Sequence, residues 1–370
     1  MRLLVAAGAS GGGVYPALAA LQELGATDLE LLWVGGQGGM EEQLVTRAGL
    51  TFTTLPAAGL HGVGLAQLPR NLWQLLRGWL AARRILARFK PDALFFTGGF
   101  VAAPIAMAGR RVPTLAFVPD ARPGFTLRFI ARFADVIATV ASEVGQYFDR
   151  PARVQVTGYP VRAELAAWAQ PARRTEALRH FGLSADVPVL LIFGGSKGAQ
   201  NINRAAVAAL PDLLQDMQVI HISGEANWDE VNDAQAQLPP AQAARYRAFP
   251  YLHEDMGAAF AAADLAVCRA GASTFGELPL FQLPAVLVPI PFKQHIQHDN
   301  AALLSQRGAA MVLPDERMGA ELAATVRGLL ADKPRLADMR SAMAALAMPD
   351  AAARLAGLLR QLGAGREAQA

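Results

Sequence analysis

Four short loops of small residues carry the most suggestive chemistry in this sequence. Each follows an apolar run and precedes a helical pattern, and they span 8–13, 97–100, 194–198 and 269–274. Glycine allows the backbone to approach a ligand closely, and free N–H groups at the start of a helix favour an anion. The two loops richest in glycine fit neither the Walker spacing nor a strict G-x-G-x-x-G pattern, and one loop alone equally fits a tight turn. Four loops in two series favour a nucleotide or diphosphate site.

A carboxylate follows the fourth loop at a useful distance. Glu277 lies three residues after Thr274, inside the helix that this loop opens. There it can accept hydrogen bonds from both hydroxyls of a ribose while the loop N–H groups hold a phosphate. The same Thr-x-x-Glu spacing is also typical of a capping box. At this stage both interpretations stay open.

The polar segment "PFKQHIQHDNA", residues 291–301, offers side-chain amides and imidazoles. Amides both donate and accept hydrogen bonds, which suits the hydroxyls of a sugar. His295 and His298 raise the alternative of a metal, but no third ligand stands at a suitable spacing. The single cysteine, Cys268, excludes a cysteine-based metal cluster. We therefore expect neither a metal nor another cofactor.

The elements that must position these groups alternate between strands and helices. Apolar runs lie at 2–7, 29–34, 93–97, 114–118 and 136–140, and a second series lies at 187–193, 218–223, 264–268, 285–289 and 309–313. Short apolar strands separated by helices indicate parallel sheets covered on both faces. The chain has 370 residues, too many for one compact core. The sequence predicts an α/β protein with two Rossmann-like, doubly wound domains and a cleft between them.

The predicted domain boundaries follow from the breaks in this pattern. Gly158 and Pro160 interrupt it near 156–165. We expect a first domain over 1–161, a second over 162–348, and a C-terminal helix within 349–370, for which packing back on the first domain is one alternative.

The positive charge is local, because the net charge is only +3 and no acidic residue occurs between Glu42 and Asp92. A helical pattern over 68–90 fills this gap. Packing on a sheet explains about half of its apolar residues, and the rest favour an anionic lipid surface. Nucleic acid is the weaker alternative, because no recognition motif is present. The predicted membrane-facing residues are Leu72, Trp73, Leu76, Arg77, Trp79, Arg83 and Arg84.

The apolar stretch at the start of the chain is too short for a signal peptide. No apolar run reaches the roughly 18 residues that a membrane span needs. With a single cysteine, this favours the cytoplasm. We therefore expect a cytoplasmic protein that meets the membrane from its surface.

Five motifs together resemble the MurG family of the glycosyltransferase-B superfamily. They are "GASGGGVYPALA", "FTGGFVAAPIAMAG", "VTGYPVR", "LIFGGSKGAQNINR" and "ADLAVCRAGASTFGELPLFQLPAVLVPIP". The resemblance implies an inverting, UDP-GlcNAc-dependent transferase of peptidoglycan synthesis. Its acceptor would be undecaprenyl-diphosphate-linked MurNAc-pentapeptide, converted from lipid I to lipid II at the cytoplasmic face of the membrane.

The resemblance also assigns roles to single residues. Diphosphate contacts fall to Ser10, Gly11, Gly12 and Arg162, nucleotide contact to Ser196, the donor cradle to Gly271, Ala272, Ser273, Thr274, Phe275 and Gly276, the ribose to Glu277, and the donor sugar to Gln297.

This sequence departs from the family pattern in the half that would meet the acceptor. Gly13 stands where the family has histidine, and 117–120 reads Phe-Val-Pro-Asp where the family has His-Glu-Gln-Asn. Ile296 precedes Gln297, where the family has paired glutamines. Another lipid or small-molecule acceptor, or a catalytically silent protein that binds nucleotide sugars, therefore remains an alternative.

The departure at Gly13 removes the histidine that would take the acceptor proton. Asp120 is the candidate base, because it follows a strand of the first domain on the expected cleft side. A turn or cap role for Asp120, His61 as a second base, and catalysis by positioning alone stay open.

Overall fold

A computed structural model describes residues 1–8, 11–25, 29–36, 40–56, 68–195, 198–292 and 295–367 of the chain. The chain forms two compact units, one of residues 1–162 with 350–370 and the other of residues 163–349. The first boundary lies one residue from the one expected from the sequence, and so does the second.

The first unit contains one parallel sheet whose strands alternate with helices. Its elements are β1 (Arg2–Ala6), α1 (Gly11–Leu24), β2 (Glu30–Gly35), α2 (Met40–Arg47), β3 (Phe52–Thr54), α3 (Leu68–Phe89), β4 (Ala93–Phe96), α4 (Ala102–Ala108), β5 (Thr114–Val118), α5 (Phe125–Ile130), β6 (Val136–Thr139) and β7 (Val154–Val156), with short 3₁₀ turns at Ser142–Tyr147 and Pro151–Arg153.

The strand order in this sheet is β3-β2-β1-β4-β5-β6-β7. Every residue of β4 and β5 is buried, as expected for central strands covered on both faces. The order reverses between β1 and β4, and such a switch point is where open parallel sheets bind ligands.

The second unit repeats this architecture. Its elements are α6 (Ala163–Ala166), α7 (Arg174–His180), β8 (Val189–Phe193), α8 (Gln200–Asp216), β9 (Gln218–Ile222), α9 (Trp228–Ala236), α10 (Pro240–Ala243), β10 (Tyr246–Phe249), α11 (Met256–Ala262), β11 (Leu265–Cys268), α12 (Glu277–Leu280), β12 (Ala285–Leu287), α13 (Gln297–Gln306), β13 (Ala310–Val312), α14 (Met318–Ala331) and α15 (Lys333–Ala345), with 3₁₀ turns at Pro171–Arg173, Glu225–Asn227, Ala272–Phe275 and Asp315–Arg317.

The parallel strands of the second unit follow the order β10-β9-β8-β11-β12-β13. Strands β8, β9 and β11 are buried throughout. Helices α8 and α14 pack on them around a core that includes Ile202, Leu210 and Val326. The order reverses between β8 and β11, which is the second switch point. The predicted α/β class with two Rossmann-like domains is confirmed.

The last helix, α16 (Ala351–Glu367), belongs to the first unit and packs on α1. Its Arg360 guanidinium donates to the carbonyl oxygen of Glu23 at 2.6 Å and also reaches that of Leu24. A cation is favourable there because the end of a helix carries unpaired carbonyls and the negative end of the dipole.

Candidate active site

The first glycine loop lies at the β1/β4 switch point. Helix α1 begins at Gly11, so the N–H groups of its first turn have no partner within the helix. Gly99, at φ +85°, packs so closely that a Cβ there would lie 3.3 Å from the Gly8 nitrogen. Gly8 and Gly99, in the described parts of the loops after β1 and β4, therefore pack backbone against backbone. Ser10, predicted at the diphosphate, lies outside the described residues.

Glu41 supports this loop from the side of α2, a role that the sequence did not reveal. Its carboxylate is buried and accepts a hydrogen bond from the Gly36 N–H at 3.0 Å. A Cβ on Gly8 would lie 2.8 Å from the nearer carboxylate oxygen. Only glycine fits at position 8 without displacing Glu41.

Pro16 leaves a gap in the hydrogen bonding of α1, and Tyr159 fills it. A proline has no N–H, so the carbonyl of Gly12, four residues earlier, has no helical donor. The buried Tyr159 hydroxyl donates to this oxygen at 3.3 Å. The segment 156–162, identified from its "YPVR" motif, is thereby attached to the first turn of α1.

Arg162 lies over an aromatic ring of the same helix. Its guanidinium carbon is 4.6 Å from the centroid of Tyr15, a distance typical of a cation–π contact. The Tyr15 ring in turn lies against Gly11, since a Cβ there would be 3.0 Å from Tyr15 Cε2. The structure thus brings Gly11, Gly12 and Arg162 together.

Position 13 is filled by its neighbour Thr97. The Thr97 hydroxyl donates to the Gly13 carbonyl oxygen at 2.7 Å. A Cβ on Gly13 would lie 3.2 Å from Thr97 Oγ1, closer than almost all real contacts, so a larger residue requires Thr97 to shift. Glycine at position 13 therefore leaves room for the hydroxyl of the threonine that follows β4.

Asp120 lies two residues after β5 and is half-buried. Strand β5 neighbours β4, so Asp120 and the 97–100 loop leave the sheet at the same edge. Its role as a base stays a prediction. His61 lies outside the described residues.

In the second unit, the loop after β8 is shaped by three glycines. Gly195 and Gly198 have φ of +84° and +72°, conformations that favour glycine. A Cβ on Gly198 would lie 2.3 Å from the Ser223 carbonyl oxygen. Gly198 therefore packs directly against the end of β9. Ser196 and Lys197 lie outside the described residues.

A buried network behind this loop was missed by the sequence analysis. His221 Nδ1 lies 2.7 Å from the Tyr246 hydroxyl, and His221 Nε2 lies 3.0 Å from Asn203 Oδ1. Because the Asn203 amide donates to the Ser223 carbonyl, its oxygen is the acceptor and His221 Nε2 carries the proton. Burial lowers the pKa of His221 to about 4 and raises the pKa of Tyr246.

The fourth loop forms the 3₁₀ turn Ala272–Phe275, and α12 begins at Glu277. The Thr274 hydroxyl donates to the Gly271 carbonyl at 2.6 Å, and the N-cap position of α12 is Gly276, with no side-chain cap hydrogen bond. The capping-box interpretation is therefore wrong, because Glu277 is the first residue of α12 and not its third. Ser273 and Glu277 are half-buried, whereas Ala272, Thr274, Phe275 and Gly276 are buried.

A buried ion pair fixes the start of that loop, again without a signal that we recognised in the sequence. Arg269 pairs with Asp315 and donates to the carbonyls of Val288 and Pro289 at 3.2 Å. The Asn201 amide donates to the other oxygen of Asp315. The ends of β11 and β12 and the start of α8 are thereby joined.

The segment that carries Gln297 is attached to the end of β12. Gln297 Oε1 accepts from the Ile290 N–H at 3.2 Å, and His298 Nε2 lies 3.0 Å from the Ile290 oxygen. The backbone N–H of Gln297 points to His295 Nδ1 at 3.3 Å. Desolvation, with the nearby charges of His298 and Arg269, lowers the pKa of His295. No group of three metal-binding side chains occurs among the described residues.

Helix α3 has two apolar faces. Gly78 and Ala82 form the inner face, where Gly78 approaches the Pro56 carbonyl so closely that a Cβ would lie 2.2 Å from it. The outer face exposes Leu72, Trp73 and Leu76 by 51%, 60% and 47%. The predicted membrane-facing arginines Arg77, Arg83 and Arg84 are exposed, and Arg83 lies 5.0 Å over the half-buried ring of Trp79.

Packing therefore leaves the outer apolar stripe of α3 without a partner among the described residues of the chain. No helix within the described part of the chain is both long and apolar enough to cross a membrane.

Comparison with known proteins places this architecture in a family. Residues 3–139 match the N-terminal domain model of glycosyltransferase family 28, and residues 189–355 match its C-terminal domain model. A protein of Roseiflexus sp. (strain RS-1) is 39% identical, over 98% of this chain and 95% of its own. A Listeria monocytogenes protein is 32% identical, over 96% of this chain and 98% of its own.

Both relatives are named UDP-N-acetylglucosamine--N-acetylmuramyl-(pentapeptide) pyrophosphoryl-undecaprenol N-acetylglucosamine transferase. Among solved structures, MurG of Acinetobacter baumannii superposes with a TM-score of 0.75 at 27% identity, over 97% of this chain and 99% of that one. A UDP-GlcNAc 2-epimerase of Neisseria meningitidis, at 11% identity and a TM-score of 0.66 over 98% of this chain and 100% of that one, shares the fold. The chain therefore belongs to the MurG family, built from the N- and C-terminal domains of glycosyltransferase family 28.

Proposed function

We propose that this chain transfers GlcNAc from UDP-GlcNAc to undecaprenyl-diphosphate-linked MurNAc-pentapeptide, the step that forms lipid II for peptidoglycan. The observation that carries the proposal is sequence similarity, over nearly the full length of the chain, to relatives that bear the name of this reaction. Glycine loops at the switch points of both sheets support it, because such loops bind anionic ligands through backbone N–H groups.

The reaction is a single displacement at C1 of the sugar, with inversion. An acceptor hydroxyl forms the new bond to C1, the bond from C1 to the UDP oxygen breaks, and UDP leaves with the bonding electrons. The first-turn N–H groups of α1 and the guanidinium of Arg162 stabilise the negative charge that grows on the diphosphate. Glu277 accepts from the ribose hydroxyls, and Gln297 orients the donor sugar.

The acceptor hydroxyl must lose its proton, and Gly13 has no side chain to take it. Asp120 is our candidate, since it leaves the sheet beside the 97–100 loop. A general base contributes about 10²- to 10⁴-fold in rate. Asp120→Asn should therefore lower kcat by at least about 10²-fold while binding of UDP-GlcNAc is retained. Asp149→Asn, an exposed carboxylate of the same unit, is the matched control.

Unchanged kcat in Asp120→Asn dismisses Asp120 as the base and leaves positioning alone. The substrate assignment is tested separately, by release of UDP from UDP-GlcNAc with lipid I and with other polyprenyl-linked sugars as acceptors. Release with another acceptor but not with lipid I contradicts the acceptor. Calorimetric binding of a GDP- or dTDP-sugar but not of UDP-GlcNAc contradicts the donor.

Gly13 also favours a second candidate function, that of a catalytically silent protein that binds nucleotide sugars. Position 13 lacks the family histidine, and Thr97 occupies the adjacent space. UDP-GlcNAc binding without turnover on any acceptor supports this alternative, and measurable turnover removes it.

A lipid-linked acceptor requires docking at the membrane, and the outer face of α3 suits the cytoplasmic surface. Leu72, Trp73 and Leu76 are exposed beside exposed arginines, a combination that binds anionic lipid. We expect sedimentation with phosphatidylglycerol vesicles at low salt, which Leu72→Ser/Leu76→Ser weakens. Phe292→Ser, an exposed aromatic of the second unit, should leave it unchanged. Absence of co-sedimentation refutes the docking surface.

A further inference from the structure

We propose that Tyr15 is a positioning residue, whose ring holds the guanidinium of Arg162 ready for a diphosphate at the start of α1. The inference rests on the proposed function, because that function supplies the diphosphate. Nothing in the family comparison assigns a role to Tyr15.

The contacts form a short chain from backbone to cation. The Tyr15 ring lies against Gly11 in the first turn of α1, and Arg162 lies over this ring with its guanidinium carbon 4.6 Å from the centroid. The segment 156–162, which carries Arg162, is attached to α1 at a second point, because the Tyr159 hydroxyl donates to the Gly12 carbonyl oxygen. Two contacts, at Tyr159 and at Arg162, therefore attach this segment to the start of α1.

The choice of an aromatic partner has a chemical reason. Within the described part of the chain, no salt bridge to Arg162 is found. A carboxylate would hold the guanidinium but would also neutralise it and compete with a diphosphate. A ring face attracts the cation through its quadrupole and leaves the charge and the N–H donors available to an anion.

Holding the arginine in place also lowers the cost of binding. A free arginine side chain samples many rotamers, and immobilising such a side chain on binding lowers affinity. If Tyr15 has already restricted Arg162, less rotamer entropy is lost when the diphosphate arrives. The advantage should appear for ligands with a diphosphate and vanish for the nucleoside alone.

The test is calorimetric binding of UDP and of uridine to the full chain and its variants. Tyr15→Leu should weaken UDP about 3- to 30-fold, the range of a cation–π contact, and leave uridine within about 2-fold. Tyr15→Phe retains the ring and should bind UDP within about 2-fold of the parent. In an Arg162→Ala background, Tyr15→Leu should have no further effect on UDP.

Three outcomes overturn the inference: equal UDP affinity in Tyr15→Leu and the parent, an equal loss for uridine, or the same loss when Arg162 is absent. If Tyr15→Leu does not fold, Tyr15→Met replaces it, because methionine places an unbranched apolar side chain at the site. Failure of the parent chain to bind UDP or UDP-GlcNAc refutes the proposed function instead, so the two failures are distinguishable.

Discussion

Tyr159→Phe tests how the segment 156–162 is attached to α1. The change removes only the hydroxyl that donates to Gly12, whose carbonyl lacks a helical donor because Pro16 has no N–H. A neutral hydrogen bond contributes about 0.5–1.5 kcal/mol net, and an unsatisfied buried acceptor costs more. The distance of 3.3 Å is long for an O–H donor. We therefore expect Tyr159→Phe to lower the free energy of unfolding by about 1 kcal/mol.

The decisive measurement is a double-mutant cycle with Pro16→Ala. In that background residue 16 regains an N–H that can donate to Gly12, so the hydroxyl becomes dispensable. The cost of Tyr159→Phe should fall to about 0.3 kcal/mol or less, measured by urea unfolding. Tyr147→Phe, a half-buried tyrosine of the same unit, should cost the same in both backgrounds. An undiminished cost of Tyr159→Phe in the Pro16→Ala background would show that the hydroxyl does not replace the missing helical donor to Gly12.

The remaining predictions concern the second unit. Burial lowers the pKa of His221 to about 4, from about 6.5 in the unfolded chain. The free energy of unfolding should therefore fall by up to about 1.4 kcal/mol per pH unit as the pH drops from about 6.5 to 4. His221→Gln should flatten this dependence on pH, measured by urea unfolding. Gly198→Ala should destabilise by more than about 2 kcal/mol, since its Cβ meets the Ser223 carbonyl. Asp315→Asn should cost about 3–5 kcal/mol, because it removes the buried carboxylate that compensates the half-buried cation of Arg269.

Each of these variants has a control that differs in one physical feature. His253→Gln, at an exposed histidine of the same unit, is the matched control for the pH profile. Gly195 also has a positive φ but faces open space, so Gly195→Ala isolates the backbone strain of about 1–2 kcal/mol from the clash. Asp338 is exposed, and Asp338→Asn should be nearly neutral. A cost for Gly198→Ala no larger than for Gly195→Ala contradicts the packing argument.

The central strands of both sheets could be predicted because burial on both faces demands apolar runs. The residues 114–118 and 189–193 are examples, and every side chain in them is buried. Among the described residues, three strands were not predicted from the sequence: Phe52–Thr54, Val154–Val156 and Tyr246–Phe249. They lie at sheet edges and are half-buried or mixed in burial. Their sequences therefore contain no continuous apolar run that would predict a strand.

The candidate site was predictable where its signal is local and hidden where partners are remote. Glycines next to a helix start can be recognised within a few residues, and the first loop is one example. The partners of His221 lie 25 and 18 residues away, and its strand "QVIHI" gives no sign of which groups it will meet. Arg269 meets Asp315 across 46 residues. Only the fold brings such groups together.

The absence of a side chain at position 13 and the threonine after β4 explain one another. The Thr97 hydroxyl binds the Gly13 carbonyl, and any Cβ on residue 13 would press against that hydroxyl. Both groups would occupy the same space, so glycine at position 13 allows the hydrogen bond between α1 and the end of β4. We propose that the proton acceptor for the reaction comes from elsewhere on that edge of the sheet. Because β5 is the next strand, the carboxylate of Asp120 is where we expect it.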